Sequence, residues 1–169
     1  LPGASELIPA CEFEGDVDAF IAIDVPNLER LGDAARVHES AGAHFTLDHH
    51  AVESCMAEYN YVDPDAPATG MLAWRLIGEM GVERTFEMAQ CCYLALMTDT
   101  GRFQFQNTTP EAFALAGEMV SAGARPEECS QEIYQRRSAA SLGLEGVMLS
   151  NMQVAPSGEW ALSYARLDD

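Results

Sequence analysis

Short apolar runs, each closed by a breaker, set the pattern of this chain. Residues 19–25 read AFIAIDV, apolar and β-branched up to Asp24, and predict a buried strand. Pro26-Asn27 ends that run, and Asn27 is placed to cap a helix predicted over 28–40, with Gly42 beyond it. Residues 44–47 predict a second strand that leads directly into Asp48-His49-His50. The crossover between the two strands has the length a parallel pair needs. A third strand is predicted over 59–63, a Pro-rich loop over 64–67, and helices over 69–80 and 85–98. The second of these helices runs into Asp99-Thr100-Gly101, where the glycine stops it. Phe103 and Phe105 alternate with glutamines, as in a short strand. A helix over 110–122 ends at Gly123. The helix over 126–137 has Pro126 in its first turn and Glu127 and Glu128 at the positive end of its dipole.

From residue 138 the character changes. A helix is predicted over 138–152 and a hairpin over 153–167, turning at Pro156-Ser157-Gly158 with Trp160, Leu162 and Tyr164 alternating beyond it. The fold class expected is α/β, a parallel sheet flanked by helices, followed by the start of a second α/β domain. The division expected is a core over 1–137, a connecting helix over 138–152, and the beginning of the second domain over 153–169. No internal repeat or low-complexity segment is visible.

The 169 residues suffice for a packed core, and the 48% hydrophobic content is that of a globular chain. No run of about 20 apolar residues is present, so no membrane helix is expected. Residues 1–10 lack the basic start of a signal peptide. The formal net charge is −18, and every basic residue is arginine. Such a surface repels polyanions, which excludes wrapping long nucleic acid as the job of this chain. The five cysteines, Cys11, Cys55, Cys91, Cys92 and Cys129, form no C-x-x-C. That pattern argues against a disulfide framework or zinc ribbon and fits a reducing cytoplasm.

Three acids are distinguished by position. Asp24 and Asp48 each fall at the carboxyl end of a predicted strand, and Asp99 falls where an apolar helix meets a glycine turn. Open parallel sheets bind ligands beyond the carboxyl ends of their strands. His49 and His50 come directly after Asp48, and imidazole with carboxylate suits Mn²⁺, Fe²⁺ or Zn²⁺. Such donors can hold two cations about 3.5–4 Å apart, a spacing suited to phosphate ester hydrolysis. His38 and His44 read as structural, and residues 93–97 as core. No Gly-rich phosphate loop and no Gly-x-Ser-x-Gly elbow are present, which argues against an NTPase or a serine hydrolase.

The segments AFIAIDVPNLERLGDAA, FTLDHH, APATGMLAWRLI and MTDTGRFQFQNTTPEAFALAGEMVSAGA resemble, in order and spacing, the core of the DHH phosphoesterases. The branch they resemble is the bacterial oligoribonuclease and pAp phosphatase type, also described as exopolyphosphatase-related. The resemblance implies that Asp24 bridges two metals, that His49 and Asp99 are metal ligands, and that His50 faces substrate phosphate. Asp48 would orient the histidine pair, and Thr100, Gly101 and Arg102 would shape the rim, with Arg102 a candidate phosphate contact. It implies Mn²⁺ at a two-metal site, with Mg²⁺ or Co²⁺ as substitutes. The expected reaction is hydrolysis of phosphodiester or phosphomonoester bonds in short oligoribonucleotides or pAp-like nucleotides by metal-activated water. Inorganic pyrophosphatase or exopolyphosphatase activity is one alternative, and a non-catalytic nucleotide- or metal-binding module is another. The expected partner is a short oligonucleotide or small nucleotide phosphate, with no membrane, and with room for a homodimer. Two departures stand out. The family's first motif, a His and two Asp after an upstream strand, has no counterpart before Asp24. The Gly-Gly-Gly-His signature of its C-terminal substrate domain is also absent. In addition, Met71 stands where a Glu often comes after Thr-Gly. The chain therefore reads as an internal piece of a roughly double-length enzyme, weak or inactive by itself.

Overall fold

The structure is a computed structural model, and it describes residues 1–51 and 56–166. Cys55 and Leu167, the last residue of the expected hairpin, lie outside that range. The chain divides into two compact units, Leu1–Pro126 and Glu127–Asp169.

The first unit is built on a three-stranded parallel sheet in the order β1 (Ala19–Ile23), β2 (Ala43–Asp48), β3 (Tyr59–Val62). The register pairs Ile23 with Leu47 and Asp48 with Val62, so β1 and β2 finish side by side at one rim. This is the parallel α/β sheet with flanking helices that the apolar runs imply. The β1–β2 crossover is not one helix. Asn27 accepts a hydrogen bond from the Arg30 amide as expected of a cap, but Gly32, at φ 53° and ψ −128°, breaks the segment. A 3₁₀ stretch (Leu28–Ala34) and a short helix α1 (Ala35–Ser40) result.

Helix α2 (Thr69–Glu79) comes after the Pro-rich loop, packing on β2 and on α3 (Phe86–Asp99), which in turn packs on α4 (Pro110–Ser121). Buried positions in α4 are Ala112, Leu115, Ala116 and Met119, the i, i+3, i+4, i+7 stripe of a core-facing helix. Thr85 and Thr109 cap α3 and α4 by accepting from the Met88 and Ala112 amides. Trp74 is fully buried, donates its indole N–H to Glu118 at 3.1 Å, and lies under the Arg84 guanidinium at 4.2 Å. Met71 and Leu96 are likewise inaccessible, and truncating either to alanine would cost about 2–5 kcal/mol. Cys92 is a packing residue, and burial pushes its thiol up to about 11.

Two expectations are overturned. Residues 103–105 are not a strand. Gly101, Arg102 and Phe103 all adopt left-handed φ angles, between 54° and 62°, and the amides of Gln104 and Phe105 fold back onto the Thr100 carbonyl. The ring of Phe103 stacks on Phe113 instead, at 5.3 Å. Nor is β1 buried on both faces: Ala22 is inside, but Ile21 and Ile23 are more than half exposed. With Phe45, Tyr59, Tyr61, Leu76 and Met80 they line an open apolar cavity of about 650 Å³ between the sheet and α2.

In the second unit, a π-helical turn (Gln131–Gln135) extends the short α5 (Pro126–Ser130), so the helix expected over 126–137 ends early. Helix α6 (Ala139–Ser150), capped by Ser138, leads to an antiparallel pair, β4 (Gln153–Val154) and β5 (Ala161–Leu162). The pair turns through Pro156-Ser157-Gly158, with Gly158 at φ 74°.

Candidate metal centre

Asp24 is the residue after β1, and its amide donates to the Leu47 carbonyl at 3.0 Å, which holds it level with Asp48 across the rim. Its φ is 61°, a left-handed conformation that aspartate tolerates better than most residues. The resulting kink lifts its carboxylate off the strand. Asp48, the last residue of β2, is 1% exposed. Its Oδ1 accepts from the His49 amide at 2.7 Å, the His50 amide at 3.1 Å and His50 Nδ1 at 2.6 Å. A buried carboxylate is tolerable because these three donors satisfy it.

This arrangement gives the two histidines different tasks. His49 Nδ1 lies 3.1 Å from the Ala66 carbonyl, which can only accept, so that nitrogen carries the proton. The Nε2 of His49 then turns to the rim, 3.6 Å from Asp24 Oδ1 and 3.7 Å from Asp99 Oδ2. His50 Nδ1, 4.0 Å from Asp24 Oδ1, is engaged by Asp48, so its Nε2 is the atom left for a partner. One donor atom each from Asp24, His49 and His50 lies within 4.8 Å of the others.

Asp99 ends α3, and the turn behind it is rigid. Thr100 is fully buried; its hydroxyl donates to the Leu96 carbonyl at 2.6 Å and accepts from the Phe103 amide at 3.1 Å. Asn107 donates to the Asp99 carbonyl at 3.1 Å and the Pro67 carbonyl at 3.3 Å, tying this turn to the loop before α2. Burial is the main cause that raises the Asp99 carboxyl from its ordinary value; the Asp24 charge adds to it, while His49 and His50 oppose it.

The donor set fits a divalent first-row cation. It combines carboxylate oxygens with an imidazole nitrogen whose other nitrogen is held by a carbonyl, the arrangement that fixes a ligating histidine. Separations of 3.6 and 3.7 Å from Nε2 are close to those between ligands sharing one ion, about 3–3.5 Å for bonds of about 2.1 Å. Asp24 and Asp99, each beside His49 Nε2, are also a local negative charge that a cation would relieve.

Of the residues singled out from sequence, Asp24, His49, His50 and Asp99 come together, and Asp48 sits beneath them. Arg102 is exposed on the turn just beyond Asp99, at φ 62°. His38 and His44 are elsewhere, His44 being four residues from Asp48 along β2, about 13 Å of strand. His38 Nε2 bonds the Met56 carbonyl, and His44 meets Glu58 and the His38 carbonyl. Met71 points into the core. Sequence reasoning passed over Asn107, the Ala66 carbonyl, and Thr69, whose hydroxyl donates to Asp24 Oδ1 at 2.7 Å. Only Thr69 carried a local signal, a hydroxyl at the first position of a predicted helix beside a glycine.

An α/β protein with carboxylates and imidazoles gathered at the carboxyl rim of its parallel strands belongs to the class that binds ligands at that rim. The chain is 35% identical over 106 residues to the bifunctional oligoribonuclease and PAP phosphatase NrnA of Thermus thermophilus, covering 63% of this chain and 32% of that protein. It is 26% identical over 141 residues to the NrnA of Bacillus subtilis, covering 82% and 44%. Among solved structures it superposes on an exopolyphosphatase-related protein from Bacteroides fragilis with a TM-score of 0.87 and 27% identity, over 96% of this chain and 51% of that one. No family model matches the chain. Together, the relatives and the shared fold support a phosphoesterase of the DHH type. It spans less than half the length of these two curated relatives.

Proposed function

We propose that this chain carries the cation-binding core of a phosphoesterase that hydrolyses phosphodiester or phosphomonoester bonds of short oligoribonucleotides or pAp-like nucleotides. The observation that carries the reading is His49 Nε2, set between Asp24 and Asp99 at 3.6 and 3.7 Å with its other nitrogen tied to Ala66. Asp24, His49 and Asp99 would hold the ion, Mn²⁺ first and Mg²⁺ or Co²⁺ as substitutes. When bound, divalent cations supply Lewis acidity that lowers the pKa of water and neutralises phosphate charge. The chain's own residues contribute the rest. Asp48 holds His50 by Nδ1, so that Nε2 can meet a phosphate oxygen. Arg102, at the rim turn, is the candidate for a bidentate phosphate contact. The acidic surface favours small substrates, because a long polyanionic strand would be repelled by a net charge of −18. The described cysteines Cys11, Cys91, Cys92 and Cys129 are all free, which agrees with a reducing cytoplasm.

A second reading, hydrolysis of pyrophosphate or polyphosphate, is supported by the exopolyphosphatase-related neighbour. The test uses this chain and the longest in-frame polypeptide that contains it. Mn²⁺ binding is followed by electron paramagnetic resonance, and hydrolysis is measured on a diribonucleotide, pAp, pyrophosphate and polyphosphate. We expect Mn²⁺-dependent cleavage of the diribonucleotide or pAp that Asp99→Asn abolishes. Cleavage of pyrophosphate or polyphosphate alone would select the second reading. Mn²⁺ binding with no turnover of any of the four would leave a binding module.

A further inference from the structure

We infer that Thr69 is a positioning residue of this centre: its hydroxyl fixes the carboxylate of Asp24, and the glycine beside it fixes Thr69. The inference rests on reading Asp24, His49 and Asp99 as the cation site. The Asp24 side chain is 50% exposed on a strand-end kink, so packing alone leaves it free to rotate. Thr69 donates to Oδ1 at 2.7 Å, and Oδ1 is the same atom that faces His49 and His50. Thr69 itself is 4% exposed and β-branched, so its hydroxyl has few directions to point. A threonine inside a helix commonly turns its hydroxyl proton back to the carbonyl one turn earlier. Thr69 opens α2 after Ala68, with no helical turn before it, so that competition is absent and the proton goes to Asp24.

The placement of Thr69 has its own cause. A Cβ on Gly70 would lie 2.7 Å from the Ala95 Cβ and 2.9 Å from the Cys92 carbonyl, both on α3. Only glycine lets the start of α2 come this close to α3. Asp99 is the last residue of that same helix. The Gly70 contact therefore sets the distance between the Thr69–Asp24 pair and Asp99, two acids that come from different elements. A small pocket of about 280 Å³ opens along this seam, lined by Asp24, Thr69, Gly70, Ala95 and Asp99 among others. Through one hydroxyl and one missing methyl, the helix pair holds the carboxylates of Asp24 and Asp99 each beside His49 Nε2.

The test measures Mn²⁺ binding by the metal-stripped chain, using free Mn²⁺ resonance, together with its metal-free melting. Thr69→Val keeps the shape and removes the hydroxyl; Thr69→Ser keeps the hydroxyl. We expect Thr69→Val to weaken Mn²⁺ binding about 10–100-fold, with little change in metal-free melting, and Thr69→Ser to bind close to wild type. Gly70→Ala should lose both affinity and melting temperature. Wild-type affinity in Thr69→Val would overturn the inference, and so would equal losses in the Val and Ser variants, which would point to packing. If the wild-type chain itself binds no Mn²⁺, the cation reading of the site fails first and the role of Thr69 falls with it.

Discussion

Asp48 shows how much one side chain can organise. It is buried, and its Oδ1 accepts three hydrogen bonds from the next two residues, His49 and His50. Asp48→Asn keeps the volume but removes the charge and puts an NH₂ within reach of donors. A loss of about 1–3 kcal/mol is expected in denaturant unfolding, together with a His50 ring no longer held by Nδ1. Asp99 makes a prediction of opposite sign. Burial raises its carboxyl in the folded state, so folding favours the protonated form. The stabilisation is complete below the unfolded-state value near 3.8. It is lost as pH rises through the higher folded-state value. In EDTA, Asp99→Asn should therefore gain stability relative to wild type as pH is raised from about 4 towards neutrality, read from paired unfolding curves. A difference that stays flat with pH would show that burial does not raise the Asp99 carboxyl. Asp24, Asp48-His49-His50 and Asp99 were legible as candidates in the sequence because each falls at the end of an apolar run. Thr69 and Asn107 were not, since a single hydroxyl or amide acquires meaning only from the atom it faces.

At the scale of elements, Asn27 was read as a cap from the sequence, and the structure adds three more caps. Asn27, Thr85, Thr109 and Ser138 each cap the helical segment that begins beside them, because capping is a property of a few adjacent residues. The strand expected at Phe103 and Phe105 failed for a reason that alternation does not encode. Three successive left-handed residues, Gly101 to Phe103, wind the chain into a turn, and the Phe103 ring is drawn to Phe113. Gly101 is the pivot: a side chain there would be strained by φ 54° and would meet the Phe105 ring at 2.4 Å. Gly101→Ala should destabilise the chain by about 1–3 kcal/mol. Calorimetry checks this, with Gly117→Ala, in α4 with open space around it, as a control expected to be neutral or stabilising.

For the whole molecule, an exposed stretch inside the second unit has a practical consequence. Arg136 and Arg137 lie in an exposed, irregular stretch between the π-helical turn and α6. Arg136 and Arg137 pair with Glu132 and Glu145, yet Arg75 and Arg84 in the first unit are the more buried, at 28% and 31% exposed, and Arg84 also lies over Trp74. Limited trypsin digestion should cut first at Arg136 or Arg137 and leave a fragment ending there, identified by mass spectrometry. First cleavage at Arg75 or Arg84 would mean that the α2–α4 layer opens more readily than the stretch before α6. Among the described residues no helix is long and apolar enough to cross a membrane.

Local rules settle what local residues control, so the sequence by itself determined the parallel α/β class, the Asn27 cap, and the five residues that gather at the rim or beneath it. Strand ends can be read from where apolar runs stop, and parallel strands put those ends on one side. The tertiary structure alone decided which donor atoms face each other. His49 receives its tautomer from Ala66, Asp24 its direction from Thr69, and Asp99 its distance from the Gly70 contact. Each of these partners is at least 17 residues away in sequence from the group it governs or on another helix, and no periodicity or propensity spans such a gap. Distances between side chains on separate elements are fixed by packing, and packing is a property of the whole chain.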